Sequence, residues 1–88
     1  MAEIQFSEIA WEDYLYWQKQ DKKTLKRIND LLKEISRTGK PQKGKPELLK
    51  GDFSGSASVR IDGKNRLVYS LDNGIIKVEQ CRNHYSDK

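Results

Sequence analysis

Residues 57–80 read ASVRIDGKNRLVYSLDNGIIKVEQ, and apolar and polar side chains alternate along most of this segment. Such alternation predicts β-strands that bury one face. The dipeptide Asn73-Gly74 predicts a two-residue hairpin turn, because both residues tolerate a positive φ. That turn places Leu71 opposite Ile76, so the apolar faces of the two strands coincide. The segment therefore predicts three antiparallel strands.

A second hairpin is expected around residues 62–65, and two arginines decide its register. Pairing Arg60 with Arg66 requires an odd-numbered loop or a bulge, but it keeps the neighbouring apolar side chains in the core. The alternative register would bury an unpaired arginine, which costs more free energy than the loop does. We therefore expect both arginines on the face opposite the core, where a bound anion would offset their repulsion. Solvated arginines that pair with nearby carboxylates are the alternative.

The last predicted strand ends near Cys81, and the chain's single histidine follows it. With the predicted turn, Arg66 is expected to pair with Cys81. His84 and Tyr85 would then leave the sheet beside Arg66 and reach the same surface.

Upstream of the sheet, the sequence predicts a short strand over residues 2–6 and two amphipathic helices. Ser7 and Asp21 are expected to cap the helices, and Gly39 with Pro41 is expected to end the second one. The predicted core positions are Ile9, Trp11, Tyr14, Leu15 and Trp17 in the first helix and Leu25, Ile28, Leu31, Leu32 and Ile35 in the second. The predicted fold class is α+β, with two N-terminal helices packed on one face of a small antiparallel sheet and the other face free.

Length and composition limit what this chain can be. It has 88 residues, of which 35% are hydrophobic and 34% are charged, so we expect one small domain over residues 1–88. The sequence has no apolar run of membrane-spanning length and no signal-peptide pattern at its start. One cysteine cannot form an internal disulfide, and one histidine leaves no metal-ligand cluster. We therefore expect a cytoplasmic protein without a cofactor.

The formal net charge of +4 is unevenly distributed. Residues 1–18 carry four acids and no base, residues 19–50 carry 11 bases and four acids, and residues 51–88 are nearly neutral. A solvated helix face is the simplest explanation of the basic block. The alternative is a surface that binds a polyanion, since Lys and Arg neutralise phosphates and release counterions.

The basic block ends in residues 39–52, where four lysines, three glycines and two prolines predict a cationic loop without regular structure. Glu47 is the one acid between Glu34 and Asp52, and we expect it to stay ionised among the lysines. A surface ion pair is the simplest explanation of this carboxylate. An ionised carboxylate is also what a general base requires.

Together, the candidate residues suit RNA cleavage by internal transesterification. Glu47 would take the proton of the ribose 2′-OH, Arg66 would stabilise the phosphorane, and His84 would protonate the departing 5′-oxygen. Tyr85 would stack on a base or orient the phosphate. This chemistry needs no metal ion.

Four segments resemble the YoeB/Txe toxins of the RelE superfamily, which act in type II toxin-antitoxin systems. The segments are WEDYLYWQ (residues 11–18), GKPELLK (residues 44–50), NRLVY (residues 65–69) and HY (residues 84–85). The resemblance runs from Phe6 to Tyr85 and implies a RelE-like fold. It also implies a ribosome-dependent mRNA endoribonuclease that enters the A site and inhibits translation.

The resemblance implies roles for individual residues. The general base falls on Glu47, the transition-state arginine on Arg66, the general acid on His84 and the terminal tyrosine on Tyr85. The residues expected to hold RNA, by the resemblance or by their charge, are Lys43, Lys45, Lys50 and Arg60. The implied partners are a YefM-like antitoxin, the bacterial ribosome with its mRNA, and operator DNA through the antitoxin alone. A homodimer is left open, and no membrane is involved.

The chain departs from the family pattern at three positions. Ala57 replaces an aromatic residue, Val59 replaces one of two adjacent arginines, and Leu48 replaces the second proline of Pro-Glu-Pro. The change at Val59 is expected to remove a contact with phosphate or with an acidic antitoxin side chain. Residues 86–88 also extend past the usual end of the family. The alternative function is therefore a catalytically weakened homologue that binds RNA, the ribosome or an antitoxin.

Overall fold

The computed structural model describes residues 3–39, the backbone of residues 47–48, and residues 55–83. The elements are β1 (Glu3–Phe6), α1 (Glu8–Gln20), α2 (Lys22–Thr38), β2 (Glu47–Leu48), β3 (Ala57–Arg60), β4 (Arg66–Asp72) and β5 (Ile75–Gln80). In this part of the chain the strands form one five-stranded sheet in the order β1-β5-β4-β3-β2. Two helices and a sheet confirm the predicted α+β class. None of the described helices is both long and apolar enough to cross a membrane.

The sheet is mixed, so the prediction of an antiparallel sheet is wrong for one pair of strands. β1 runs parallel to β5, with Glu3 opposite Ile75 and Phe6 opposite Val78. A tight turn forces its two strands to be antiparallel, but β1 and β5 are separated by most of the chain. The direction of β1 therefore depends on how α1 and α2 return the chain to the sheet.

The predicted loop over residues 39–52 is also wrong at one point. Glu47 and Leu48 form β2, which pairs antiparallel with β3 and places Glu47 opposite Ser58 and Leu48 opposite Ala57. Backbone hydrogen bonding along β3 stabilises this short strand, although the composition around it favours a loop.

Both predicted hairpin registers are confirmed close to their turns. Arg60 lies opposite Arg66, and Leu71 lies opposite Ile76. Farther from the second turn a bulge shifts the register, so that Val68 lies opposite Gln80 while Tyr69 lies opposite Val78. The two residues of β4 are consecutive but their partners on β5 are not.

The helix ends follow the predicted caps. The Ser7 hydroxyl accepts a hydrogen bond from the Ala10 N–H at 3.0 Å, and the Asp21 carboxylate accepts from the N–H groups that begin α2. Gly39 ends α2 in the left-handed conformation with φ 85°, and its N–H donates to the Ile35 carbonyl. Pro41 lies outside the described residues.

The core-facing stripe of α2 is confirmed, whereas that of α1 is partly wrong. Ile9 and Trp11 remain 54% and 49% exposed. α1 instead buries Ala10, Asp13 and Trp17. Asp13 and Trp17 face the core because both side chains hydrogen-bond to the backbone of residue 81 at the end of β5.

The helices cover one face of the sheet. The buried cluster between the helices and the sheet holds the apolar side chains of that face. Its fully or nearly buried members are Ala10, Trp17, Ile28, Leu31, Leu32, Ile35, Val59, Ile61, Leu67, Tyr69, Ile76, Val78 and Cys81. The opposite face was predicted to be free, which is wrong for the row formed by Ser58, Val68 and Gln80. All three of these residues are buried.

Candidate active site

The predicted arginine pair lies at the end of the hairpin between β3 and β4. Arg60 and Arg66 are cross-strand partners, Arg60 is exposed and Arg66 is half-buried. The Arg66 guanidinium reaches back along β3, where its Nε donates to the Ser58 hydroxyl and its Nη2 donates to the Ser58 carbonyl. Arg66 is therefore held in place by the neighbouring strand, while Arg60 extends into solvent.

The same serine lies opposite Glu47. β2 pairs with β3 so that the backbone of Glu47 stands across from Ser58, and Ser58 in turn receives the Arg66 head group. Glu47 and the Arg66 guanidinium are thus brought to one residue of β3 from its two sides. The backbone of the candidate base and the candidate charge-stabilising arginine therefore lie on either side of Ser58, and their catalytic roles stay a prediction.

The end of β5 leads to the same place, but not in the predicted register. The bulge opposite Val68 and Tyr69 inserts one extra residue, so Arg66 does not pair with Cys81. Instead the Arg66 N–H donates to the Asn83 carbonyl at 3.1 Å. The bulge also turns Cys81 into the core and Gln80 to the opposite face, which keeps the polar side chain out of the core.

The chain therefore leaves the sheet beside Arg66, as expected. His84 and Tyr85 follow Asn83 in the sequence but lie outside the described residues, as do Lys43, Lys45 and Lys50. Glu47 is placed by its backbone alone. Of the predicted site residues, the structure brings together Arg60, Arg66 and the backbone of Glu47.

Three polar residues at this site were missed by sequence reasoning. Ser58 holds Arg66 through the contacts described above, and Asn65 accepts a hydrogen bond from the Asn83 N–H through its Oδ1 at 2.7 Å. The Gln80 side chain donates to the carbonyls of Arg82 and Asn83. All three residues are buried. The available signals were the polar residues at strand positions 58 and 80 and the polar residue directly before Arg66.

The hairpin loop is organised by Asp62. Its carboxylate accepts hydrogen bonds from the N–H groups of Lys64 and Asn65 and from the Asn65 side chain. Partial burial by itself would raise the pKa of Asp62, but these hydrogen bonds and the charge of Arg27 hold it below its usual value. The loop therefore carries a fixed negative charge beside the arginine pair.

Residues of α1 hold residues 81 and 82, which follow β5. The Asp13 carboxylate accepts from the Cys81 N–H at 3.1 Å, and the Trp17 indole donates to the Cys81 carbonyl at 2.8 Å. Arg82 places its guanidinium carbon 3.6 Å from the centre of the Tyr16 ring, a cation–π contact. These contacts fix the backbone immediately before the candidate general acid.

The helical part of the basic block lines an open groove of about 570 Å³ along α2. Its lining combines basic with acidic side chains, and one of these pairs is the Lys26–Asp30 ion pair at 3.0 Å. The positive charge of α2 is therefore partly offset where the groove lies.

A family model described as "YoeB-like toxin of bacterial type II toxin-antitoxin system" matches residues 6–85. The chain belongs to this family. The toxin YoeB of Escherichia coli (strain K12) is 48% identical over 80 residues, which cover 91% of this chain and 95% of that protein. The resemblance inferred from the four sequence segments is thus confirmed.

Solved structures of YoeB toxins have the same fold. The heterotetrameric YoeB-YefM complex from Staphylococcus aureus contains a chain that matches with a TM-score of 0.88 and 48% identity, over 97% of this chain and 99% of that one. A YoeB dimer from the same organism matches with a TM-score of 0.88 and 48% identity, over 96% and 98%. The RelE-like arrangement of helices and sheet is therefore shared with YoeB toxins.

Within the YoeB-like family, this chain was expected to lose a surface contact at Val59. Val59 is fully buried in the core cluster between helices and sheet. The apolar side chain at this position therefore contributes to the packing of the core. Ala57 is partly buried against the same cluster.

Proposed function

We propose that this YoeB-like protein is a ribosome-dependent mRNA endoribonuclease that acts in the A site and inhibits translation. The observation that carries the proposal is the convergence of Arg66, the backbone of Glu47 and the chain segment leading to His84. Membership of a toxin family supports the same function. We further propose that residues 1–88 act as a single cytoplasmic domain.

In the proposed reaction, Glu47 takes the proton from a ribose 2′-OH, and the 2′-oxygen attacks the adjacent phosphorus. The bond between phosphorus and the 5′-oxygen breaks, and His84 donates a proton to that oxygen. The products are a 2′,3′-cyclic phosphate and a 5′-hydroxyl end. Arg66 stabilises the negative charge of the phosphorane, and Tyr85 stacks on a base or orients the phosphate. The scheme uses no metal ion or other cofactor.

The position of Arg66 suits this role. A guanidinium that is already held by Ser58 loses little conformational entropy when a phosphate binds, and preorganised donors stabilise a transition state most effectively. Arg60 is exposed on the neighbouring strand and is proposed to hold the RNA backbone together with Lys43, Lys45 and Lys50.

A YefM-like antitoxin is the proposed protein partner, because the Staphylococcus aureus relative is found in a complex with YefM. A homodimer is proposed on the same basis, since a YoeB from Staphylococcus aureus also forms a dimer. Operator DNA would be reached through the antitoxin.

The test is cleavage of mRNA on programmed ribosomes by the wild-type protein and by Glu47→Gln, Arg66→Ala and His84→Gln. We expect each variant to lower the cleavage rate by about 100-fold or more. Glu79→Gln makes the same chemical change at an exposed carboxylate of β5 and is expected to cleave like the wild type. Equal cleavage by all variants would refute the assigned roles.

A weakened homologue that acts by binding gives a different result. Such a protein would block translation stoichiometrically, without new 5′-hydroxyl RNA ends, and its induction without antitoxin would not arrest growth through cleavage. Detection of 5′-hydroxyl ends at substoichiometric protein would exclude this alternative.

A further inference from the structure

We propose that Asn65 and Gln80 are positioning residues that clamp the backbone at Asn83 and so position the next residue, His84, for proton transfer to the leaving oxygen. This inference rests on the proposed function, in which His84 is the general acid. It assigns a task to two buried polar side chains that the cleavage scheme itself does not use.

The backbone of Asn83 has its hydrogen-bonding groups engaged by this part of the fold. Its N–H donates to the Asn65 Oδ1 at 2.7 Å. Its carbonyl accepts from the Arg66 N–H at 3.1 Å and from the Gln80 Nε2 at 3.4 Å. Because N–H and carbonyl are both held, the peptide groups on either side of Asn83 are fixed in orientation.

Asn65 is itself oriented before it reaches Asn83. Its Nδ2 donates to both carboxylate oxygens of Asp62, each at 3.1 Å. Since the amide nitrogen faces Asp62, the amide oxygen must face the Asn83 N–H. The residue directly before Arg66 therefore carries the acceptor that holds the Asn83 N–H.

Asn83 adopts a left-handed conformation with φ 65°. This conformation costs little for asparagine but is unfavourable for β-branched residues. It bends the chain at the point where β5 has ended, directly beside the Arg66 backbone. The backbone conformation of Asn83 is thus one that the clamp stabilises.

The clamp has a functional reason. A general acid must lie within hydrogen-bonding reach of the leaving oxygen. A misplacement of about 1 Å can cost about 100-fold in rate. Contacts that fix Asn83 therefore act on the proton transfer by His84 and not on the attack by the 2′-oxygen.

This distinction can be measured with two ribosome-bound mRNAs that differ in the leaving atom. One carries the natural 5′-oxygen at the cleaved bond, and the other carries a bridging 5′-sulfur, whose departure needs no protonation. Under single-turnover conditions we expect Asn65→Ala to slow cleavage of the natural bond by about tenfold. With the sulfur substrate we expect Asn65→Ala to approach the wild-type rate.

Gln80→Met removes the side-chain donor at nearly constant size. We expect it to slow cleavage of the natural bond less than Asn65→Ala does. With the sulfur substrate its cleavage rate should likewise approach that of the wild type. His84→Gln is the reference for a lost general acid and should recover with sulfur. Glu47→Gln is the reference for a lost base and should stay slow on both substrates.

The conformation of Asn83 offers a matched pair of variants. Asn73, in the turn between β4 and β5, also has a positive φ. Asn83→Val and Asn73→Val introduce the same backbone strain. We expect only Asn83→Val to slow cleavage of the natural bond by about tenfold. With the sulfur substrate, the cleavage rate of Asn83→Val should approach that of the wild type. Asn83→Gly, which tolerates the conformation, should stay closer to the wild type. Because Asn83 is exposed, this pair tests the clamp even where Asn65→Ala does not fold.

The outcomes separate the two proposals. If the wild type cleaves and His84→Gln recovers with sulfur, but the Asn65 and Asn83 variants are unaffected or are equally slow on both substrates, the clamp is refuted and the proposed function stands. If the wild type does not cleave, or His84→Gln stays slow on the sulfur substrate, the proposed role of His84 fails and the clamp fails with it.

Discussion

Ser58 shows how a single residue organises this site. It is buried on the sheet face opposite the helices, stands across from Glu47 in β2 and receives two hydrogen bonds from Arg66. A serine is small enough for the arginine head group to lie over it, and its hydroxyl supplies an acceptor. The position of the proposed transition-state arginine therefore depends on a side chain that need not touch the RNA.

Replacing Ser58 by alanine tests this dependence. Ser58→Ala removes the acceptor of the Arg66 Nε–H, and a hydrogen bond to a charged group contributes about 1.5–3 kcal/mol. We expect the single-turnover cleavage rate to fall by about tenfold. In an Arg66→Ala background the same substitution should have no further effect, and an additive loss would contradict the positioning role.

Asp21 connects the two helices at the level of the elements. It is the residue between α1 and α2, and its carboxylate caps α2 by accepting from the Lys23 and Thr24 N–H groups and from the Thr24 hydroxyl. Its own N–H donates to the Trp17 carbonyl and closes α1. The Thr24 hydroxyl and N–H, with smaller contributions from Lys23, hold the pKa of Asp21 below its ordinary value of 3.8.

This lowered pKa predicts an acid-sensitive helix corner. The unfolded chain takes up the proton at a higher pH than the folded one, so the stability from Asp21 is present above the ordinary pKa and is lost as pH falls through the folded-state pKa. Asp21→Asn keeps a capping oxygen but does not titrate. We therefore expect urea unfolding between about pH 6 and about pH 3 to show a smaller loss of stability for Asp21→Asn than for the wild type. Parallel pH curves would contradict this prediction.

At the scale of the whole molecule, Trp17 ties the helical layer to the end of the sheet. Its ring is buried in the core cluster, and its indole N–H donates to the Cys81 carbonyl. Trp17→Phe removes this hydrogen bond and is expected to cost about 1 kcal/mol. In a domain of this size the midpoint of thermal unfolding should fall by about 4–8 °C. Tyr16→Phe, a change at the neighbouring and more exposed aromatic residue, should shift the midpoint less, and equal shifts would argue against the tie.

The uneven charge distribution of the protein predicts which segment contributes most to RNA binding. Replacing Lys43, Lys45 and Lys50 together by glutamine should weaken ribosome association. The slope of log affinity against log salt concentration should become less steep by about 2. The control is the triple replacement of Lys19, Lys64 and Lys77, which removes the same charge elsewhere and should change the slope less. An unchanged slope in the first variant would show that the basic loop faces something other than RNA.

Local rules were sufficient where a feature depends on neighbouring residues. The caps at Ser7, Asp21 and Gly39 and the pairing of Arg60 with Arg66 were all predicted, since capping and turn geometry act over a few residues. Local rules failed where a contact joins segments that are distant in the sequence. The burial of Asp13 in place of Trp11 is an example, because it depends on the backbone of residue 81, far along the chain.

The amino-acid sequence by itself determined the α+β class, the hairpin registers near their turns, the separation of charge and the membership of the toxin family. These properties follow from side-chain periodicity, turn chemistry and motifs, each of which lies within a short segment. The tertiary structure decided the parallel β1, the pairing of Glu47 with Ser58, the bulge opposite Val68 and Tyr69, and the hydrogen bond between Asn65 and the Asn83 backbone. Each of these joins groups that are distant in sequence, and their hydrogen-bonding partners are settled when the helices and strands pack together.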